Sequence, residues 1–113
     1  MTIEERNKFI KEFILNECLA TLEGKGKDYA TNEDANSNFK EVAKALGLSE
    51  FQVWAVYFDK HVCAVLNAIR NNPEYPYRNM ETLRESIKDI INYSGILLSL
   101  IKDKDDEIKE NFE

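Results

Sequence analysis

Apolar residues recur along this chain at helical spacing, in runs that predict four helices. The first run, Phe9, Ile10, Phe13, Ile14, Cys18 and Leu22, follows the i, i+3, i+4 rule and lays one stripe along a helix face. Thr2-Ile3-Glu4-Glu5 opens it as a capping box, in which the threonine hydroxyl and the glutamate carboxylate each satisfy a backbone donor that the helix itself leaves unpaired. Glu5, Lys8, Glu12 and Asn16 fall on the opposite face, and Gly24 and Gly26 are expected to end the helix. A shorter second helix is carried by Phe39, Val42, Ala43 and Leu46 and stopped by Gly47.

Ser49-Glu50-Phe51-Gln52 is a second capping box and opens a third helix that reaches about Asn71. Its apolar residues, among them Phe51, Val53, Trp54, Val56, Val62, Leu66 and Ile69, occupy several faces, which predicts burial on more than one side. Pro73 and Pro76 then break the pattern, because each removes a backbone donor and biases the residue before it toward extended conformations. Asn79 can cap a fourth helix whose stripe of Leu83, Ile87, Ile90, Ile91, Leu97, Leu98 and Ile101 runs on to a charged tail, where the helix either frays or continues exposed. No segment alternates with period two. The expected fold is all-α, a four-helix bundle, with one domain over 1–102 and an acidic tail over 103–113. The many-sided third helix calls for a second copy of the chain to cover it, so a homo-oligomer is expected.

Composition narrows the function. The chain has 113 residues, 43% hydrophobic and 32% charged, enough for one core and too few for several domains. Its net charge is −6, half of it from the segment 102–113, so duplex nucleic acid is a poor partner for want of a basic face. The longest apolar region, 51–69, has Asp59, Lys60 and His61 at its centre, which a bilayer would penalise, so no membrane partner is expected. The first residues are polar and acidic rather than a basic and then apolar leader, and the expected location is the cytoplasm. Cys18 and Cys63 form no Cys-x-x-Cys pair and there is one histidine, which disfavours zinc and disulfides. With that single histidine no nucleophile, base and acid arrangement emerges, and no catalytic residue is assigned.

Three polar constellations remain. Glu85, Asp89 and Asn92, at i, i+4 and i+7 with Tyr93 adjacent, share one side of the fourth helix. Two carboxylates one turn apart can ligate Mg²⁺, and with Arg84 and Lys88 interleaved they equally make an ordinary solvated face. Asp59, Lys60 and His61 span about 200° of a helix, so at least one points inward, either to pair with a carboxylate of the fourth helix or to hold a phosphate. The segment 24–32 offers glycines, Lys25 and Lys27 for phosphates and Tyr29 to stack on a base, or is simply a connection. It lacks the Gly-Lys-Ser/Thr ending of a Walker loop. Trp54, Tyr57 and Phe58 at helical spacing suit a core as well as a stacking platform.

Lys27-Asp28-Tyr29, Ser37-Asn38-Phe39-Lys40, Lys60-His61 and the run from Glu85 to Tyr93 resemble, in order, the landmarks of small phage proteins related to the nucleotide-modification-associated domain. Those in turn are similar to MazG-like all-α nucleoside triphosphate pyrophosphohydrolases. The resemblance covers roughly residues 24–100. It implies a nucleotide ligand, an oligomer and, for a phage protein, the host cytoplasm. In the hydrolases an upstream Glu-x-x-Glu and a downstream Glu-x-x-Asp hold Mg²⁺. Here the downstream pair is Glu85-x-x-x-Asp89, and Asp59-Lys60-His61 stands where the upstream acids would be. That departure favours holding a nucleotide over hydrolysing it, and small phage proteins also sequester nucleotide signals of host immunity. On this reading Lys25, Lys27, Lys60, His61 and Arg84 contact phosphates, Tyr29 or Trp54 stacks on the base, and Asn38, Asp89, Asn92 and Tyr93 complete the site. No cofactor is then needed. The alternatives are a Mg²⁺-dependent pyrophosphohydrolase with Glu85 and Asp89 as metal ligands, helped by acids such as Glu12, Glu17 or Asp34, and a helical adaptor that binds another protein.

Overall fold

The computed structural model describes the backbone of residues 1–29 and 34–112, and their side chains except those of 25–29 and 112. The described residues are mostly helical, with no strand among them. Helix α1 (Ile3–Phe13) passes through a π turn (Ile14–Cys18) into α2 (Leu19–Tyr29), making one rod; α3 (Ser37–Leu46), α4 (Glu50–Asn71), a 3₁₀ turn (Pro76–Asn79) and α5 (Met80–Phe112) follow. All-α architecture with four helical rods is therefore what the hydrophobic spacing predicts.

Local signals act where they were read. The Glu5 amide donates to Thr2 Oγ1 at 3.1 Å and the Gln52 amide to Ser49 Oγ at 3.1 Å, each bond closing a capping box. Gly47 takes φ = 67°, the left-handed conformation that ends a helix, and lets the Leu48 amide return to the Ala43 carbonyl at 3.0 Å. Asn79 Oδ1 accepts from the Thr82 amide at 3.5 Å at the start of α5.

One expectation of helix length needs correction. The first rod does not stop at Gly24 or Gly26 but continues to Tyr29. Glycine inside a helix costs about 1 kcal/mol relative to alanine, which weakens a helix without ending it unless the backbone turns left-handed. In the acidic tail, of the two outcomes the sequence allows, α5 continues as helix to Phe112. Pairs one turn apart, Lys102–Asp106 at 3.0 Å and Lys109–Asp105 at 3.0 Å, offset its charge.

The core is small. Phe39 and Ala43 of α3, Val53 of α4 and Leu100 of α5 are buried together, with Trp54, Tyr93 and Ile96 packed against them. The Trp54 indole N–H donates to the Tyr93 carbonyl at 2.8 Å and pins α4 antiparallel to α5. Lys40 Nζ lies 2.8 Å from Asp34 and 3.0 Å from Asp103, tying the start of α3 to α5. Helix α4 is not enclosed on several sides within one chain: Val53 is its buried residue, while Val56, Leu66 and Ile69 are exposed. Among the described residues no helix is long and apolar enough to cross a membrane.

Leu100→Ala, at a side chain with no exposed surface, is expected to cost about 2–5 kcal/mol by removing buried volume from this small core. Gly47→Ala meets no neighbour and is expected to cost about 1–2 kcal/mol through backbone strain alone. Urea unfolding of the two variants ranks them.

Candidate functional site

The rod α1–α2 touches α5 chiefly through the π turn. A π turn widens the helix by one residue, and here it accompanies Cys18, a residue with no exposed surface. Asn92 of α5, itself buried, donates from Nδ2 to the Cys18 carbonyl at 2.9 Å. Arg84 Nε donates to Glu17 Oε1 at 3.0 Å, a second bond joins Arg84 Nη2 to Glu17 Oε2, and the guanidinium sits 4.7 Å from the centre of the Phe13 ring. The hydrogen bond from Arg84 holds the Glu17 carboxyl below its ordinary value. Burial pushes the Cys18 thiol up, away from a reactive thiolate.

Beyond this contact a cavity of about 650 Å³ lies between α2, α3, α4 and α5. Its described lining comprises Leu22, Ala35, Asn36, Asn38, Phe39, Tyr57, Lys60, His61, Asp89, Asn92, Tyr93, Gly95, Ile96 and Ser99. One wall is aromatic. Phe39 meets Tyr57 and Tyr93 edge-on, with ring centres 6.2 and 6.4 Å apart. The opposite character comes from His61 Nδ1, 3.4 Å from Asp89 Oδ2, with the imidazole 5.2 Å from the Tyr93 ring. Lys60 has no ion pair among the described residues. Asn36 and Ser99 lie within 3.3 Å of each other at another edge.

The cavity thus gathers Asn38, Lys60, His61, Asp89, Asn92 and Tyr93 of the residues expected from sequence. Of the trio 59–61, His61 is the half-buried member facing Asp89, and Asp59 turns outward to accept from the Cys63 thiol at 3.7 Å. Trp54 and Arg84 are elsewhere, each already engaged: Trp54 stacks on Phe58 at 4.6 Å and binds the Tyr93 carbonyl, and Arg84 is committed to Glu17. Lys25, Lys27 and Tyr29 lie outside the described side chains. Glu85 accepts from Lys88 at 2.7 Å, an ion pair that raises the lysine, whose side chain is 10% exposed. Among the described residues no three His, Cys, Asp or Glu side chains cluster to hold a metal.

No family model, curated protein or solved structure matches the chain. The residues themselves must carry the functional argument. Asn36, Phe39, Tyr57, Gly95 and Ser99 line the cavity without having been singled out as site residues. A signal for part of this set was available, since Asp89, Asn92, Tyr93, Ile96 and Ser99 share one side of α5 at three- and four-residue spacing.

Two carboxylates give the protein an acid limit. Glu17 is held below 4.5 by the Arg84 hydrogen bond, and Asp34 below 3.8 by its bond to Lys40. The unfolded chain takes up protons at the ordinary values, so the stability these groups contribute is complete above them and is lost as pH falls through the lower folded values. Glu17→Gln and Asp34→Asn are expected to lower stability at neutral pH and to flatten its decline between about pH 5 and pH 3. Urea midpoints across that range measure the slope.

Proposed function

We propose that the cavity binds a nucleotide and holds it intact, within an assembly of several copies of the chain, and that sequestration of a nucleotide signal is its use. The observation that carries the reading is the meeting of Lys60 and His61 with an aromatic wall and three carboxamides in one space of about 650 Å³. That volume falls in the roughly 300–1,000 Å³ range of small-molecule sites. An ammonium and an imidazole suit phosphate, the rings of Tyr57 and Tyr93 suit a base, and Asn38 offers a donor and an acceptor to its edge, while Asn36 and Asn92, bonded to Ser99 and to the Cys18 carbonyl, offer what capacity those bonds leave. The acids beside the cavity support holding over hydrolysis. Glu17 and Glu85 are neutralised by Arg84 and Lys88, so the positive charge next to Asp89 is supplied by the chain's own cations.

The test is calorimetry with a panel of nucleoside mono-, di- and triphosphates and cyclic nucleotides, with mass spectrometry of bound and free fractions. Intact ligand in the bound fraction is expected. Lys60→Ala is expected to weaken binding by roughly tenfold or more, about 1.4 kcal/mol. Gly95→Leu should abolish binding by filling the cavity that Gly95 lines, with circular dichroism checking that the helices are kept; among the described residues no heavy atom outside its own helix backbone lies within 4 Å of a Cβ placed there. Absence of binding across the panel would point to the adaptor alternative, and pyrophosphate release lost in Asp89→Asn would point to the hydrolase.

A further inference from the structure

The buried polar groups of the cavity decide what a ligand must offer them. Asn92 is only 8% exposed, and its Nδ2 donates to the Cys18 carbonyl at 2.9 Å. A carbonyl oxygen only accepts, so this bond fixes which end of the carboxamide is nitrogen. The other end, Oδ1, has no hydrogen-bond partner among the described residues. None of their side-chain nitrogens or oxygens is both fully enclosed and unpartnered, so Oδ1 reaches open space, and the space that Asn92 lines is the cavity. Asp89 lies three residues earlier on the same side of α5 and lines the cavity too. Its carboxylate is a second acceptor, able to take several hydrogen bonds at once besides facing His61 at 3.4 Å.

Asn36, also 8% exposed, is set in a similar way at another edge. The Ser99 hydroxyl has one proton, and the Ile96 carbonyl takes it at 2.7 Å. Asn36 Nδ2 therefore donates to Ser99 Oγ at 3.3 Å, and Asn36 Oδ1, 3.4 Å from the same hydroxyl, receives no proton from it and stays an acceptor. Asn38 has no partner among the described residues and can turn either end to a ligand, so it does not select.

A ligand that fills the cavity displaces water from these oxygens and must replace it with N–H groups of its own, or leave a buried acceptor unpaired. Two acceptors one turn apart on α5 call for two donors side by side. An exocyclic amino group supplies them, with two hydrogens in adenine and cytosine, and with one beside the ring N–H in guanine. Hypoxanthine and uracil present a single ring N–H beside a keto oxygen, which brings a lone pair against the second acceptor.

We infer that the site selects nucleotides whose base carries an exocyclic amino group, accepted by Asn92 Oδ1 and the Asp89 carboxylate. This rests on the nucleotide reading above and adds the class of base. The Cys18 carbonyl positions the selecting oxygen, because it holds the amide nitrogen and so prevents the carboxamide from turning over to suit a keto group.

Calorimetry with pairs that differ at this group tests it: AMP against IMP, GMP against IMP and CMP against UMP, each also as triphosphates and as cyclic monophosphates. In the phosphate form that binds most tightly, the amino-bearing member is expected to bind roughly tenfold or more tightly than its counterpart. Asp89→Asn, whose amide can turn a donor toward a keto oxygen, should cut that ratio by roughly tenfold. Lys60→Ala should weaken both members of a pair alike and keep the ratio. Asn92→Ala should bring the ratio toward one; if circular dichroism shows that it fails to fold, the wild-type ratio and Asp89→Asn still decide. Equal affinity within every pair, tighter binding of IMP or UMP, or a ratio unmoved by Asp89→Asn overturns the inference while nucleotide binding stands. Absence of binding by every member removes the nucleotide reading, and this inference with it.

Discussion

The bond from the Trp54 indole to the Tyr93 carbonyl lies at the centre of the molecule, and most of the tertiary structure is arranged around the α4–α5 contact that it fixes. Phe39 and Ala43 can be buried only because α4 and α5 present Val53, Tyr93 and Leu100 on one common side, which sets where α3 sits. The same antiparallel register carries His61 opposite Asp89 and so decides which residues of the two helices face the cavity. A tryptophan is well suited to the role. Its ring stacks on Phe58 while its one polar atom finds a partner inside the structure.

The first rod is attached differently. In place of a continuous apolar seam it uses the Asn92 amide on the Cys18 carbonyl, the Arg84 guanidinium on Glu17 and Phe13, and the buried Cys18 side chain. Directional bonds of this kind hold one position along the rod. The cavity on one side and α1, which has no buried residue, on the other adjoin that single point of attachment.

Most of the helical boundaries were legible in the sequence because they depend on local chemistry. Two capping boxes and Gly47 each involve residues within a turn of one another, and each forms the bond that its residues allow. Gly24 and Gly26 misled because glycine is a weak helix former rather than a terminator, and in the tail the helix continues because lysines one turn from its acids offset the repulsion. Of the polar residues that spacing groups on α5, Asp89, Asn92 and Tyr93 line the cavity opposite Lys60 and His61 of α4, whereas Glu85 pairs with Lys88 and is not in its described lining. Phe39 reads from sequence as core and Tyr57 as core or stacking platform; their meeting on the cavity wall arises from how α3 crosses α4, which no spacing within either helix encodes. Trp54 and Arg84 have the chemistry of ligand contacts, but long-range partners 39 and 67 residues away in sequence had already taken it up.

The two cysteines differ in a way that gives the molecule its own internal reporter. Cys63 stands exposed on α4, whereas Cys18 has no accessible surface and lies beneath the attachment point of the rod. A thiol reagent therefore reaches the first at once and the second only when the rod lifts from α5, so the slow phase of alkylation measures the free energy of that opening. Because Asn92 both closes the attachment and lines the cavity, anything that occupies the cavity through this amide must alter that slow phase, and a solution of unmodified protein records the coupling between the two without any label being introduced.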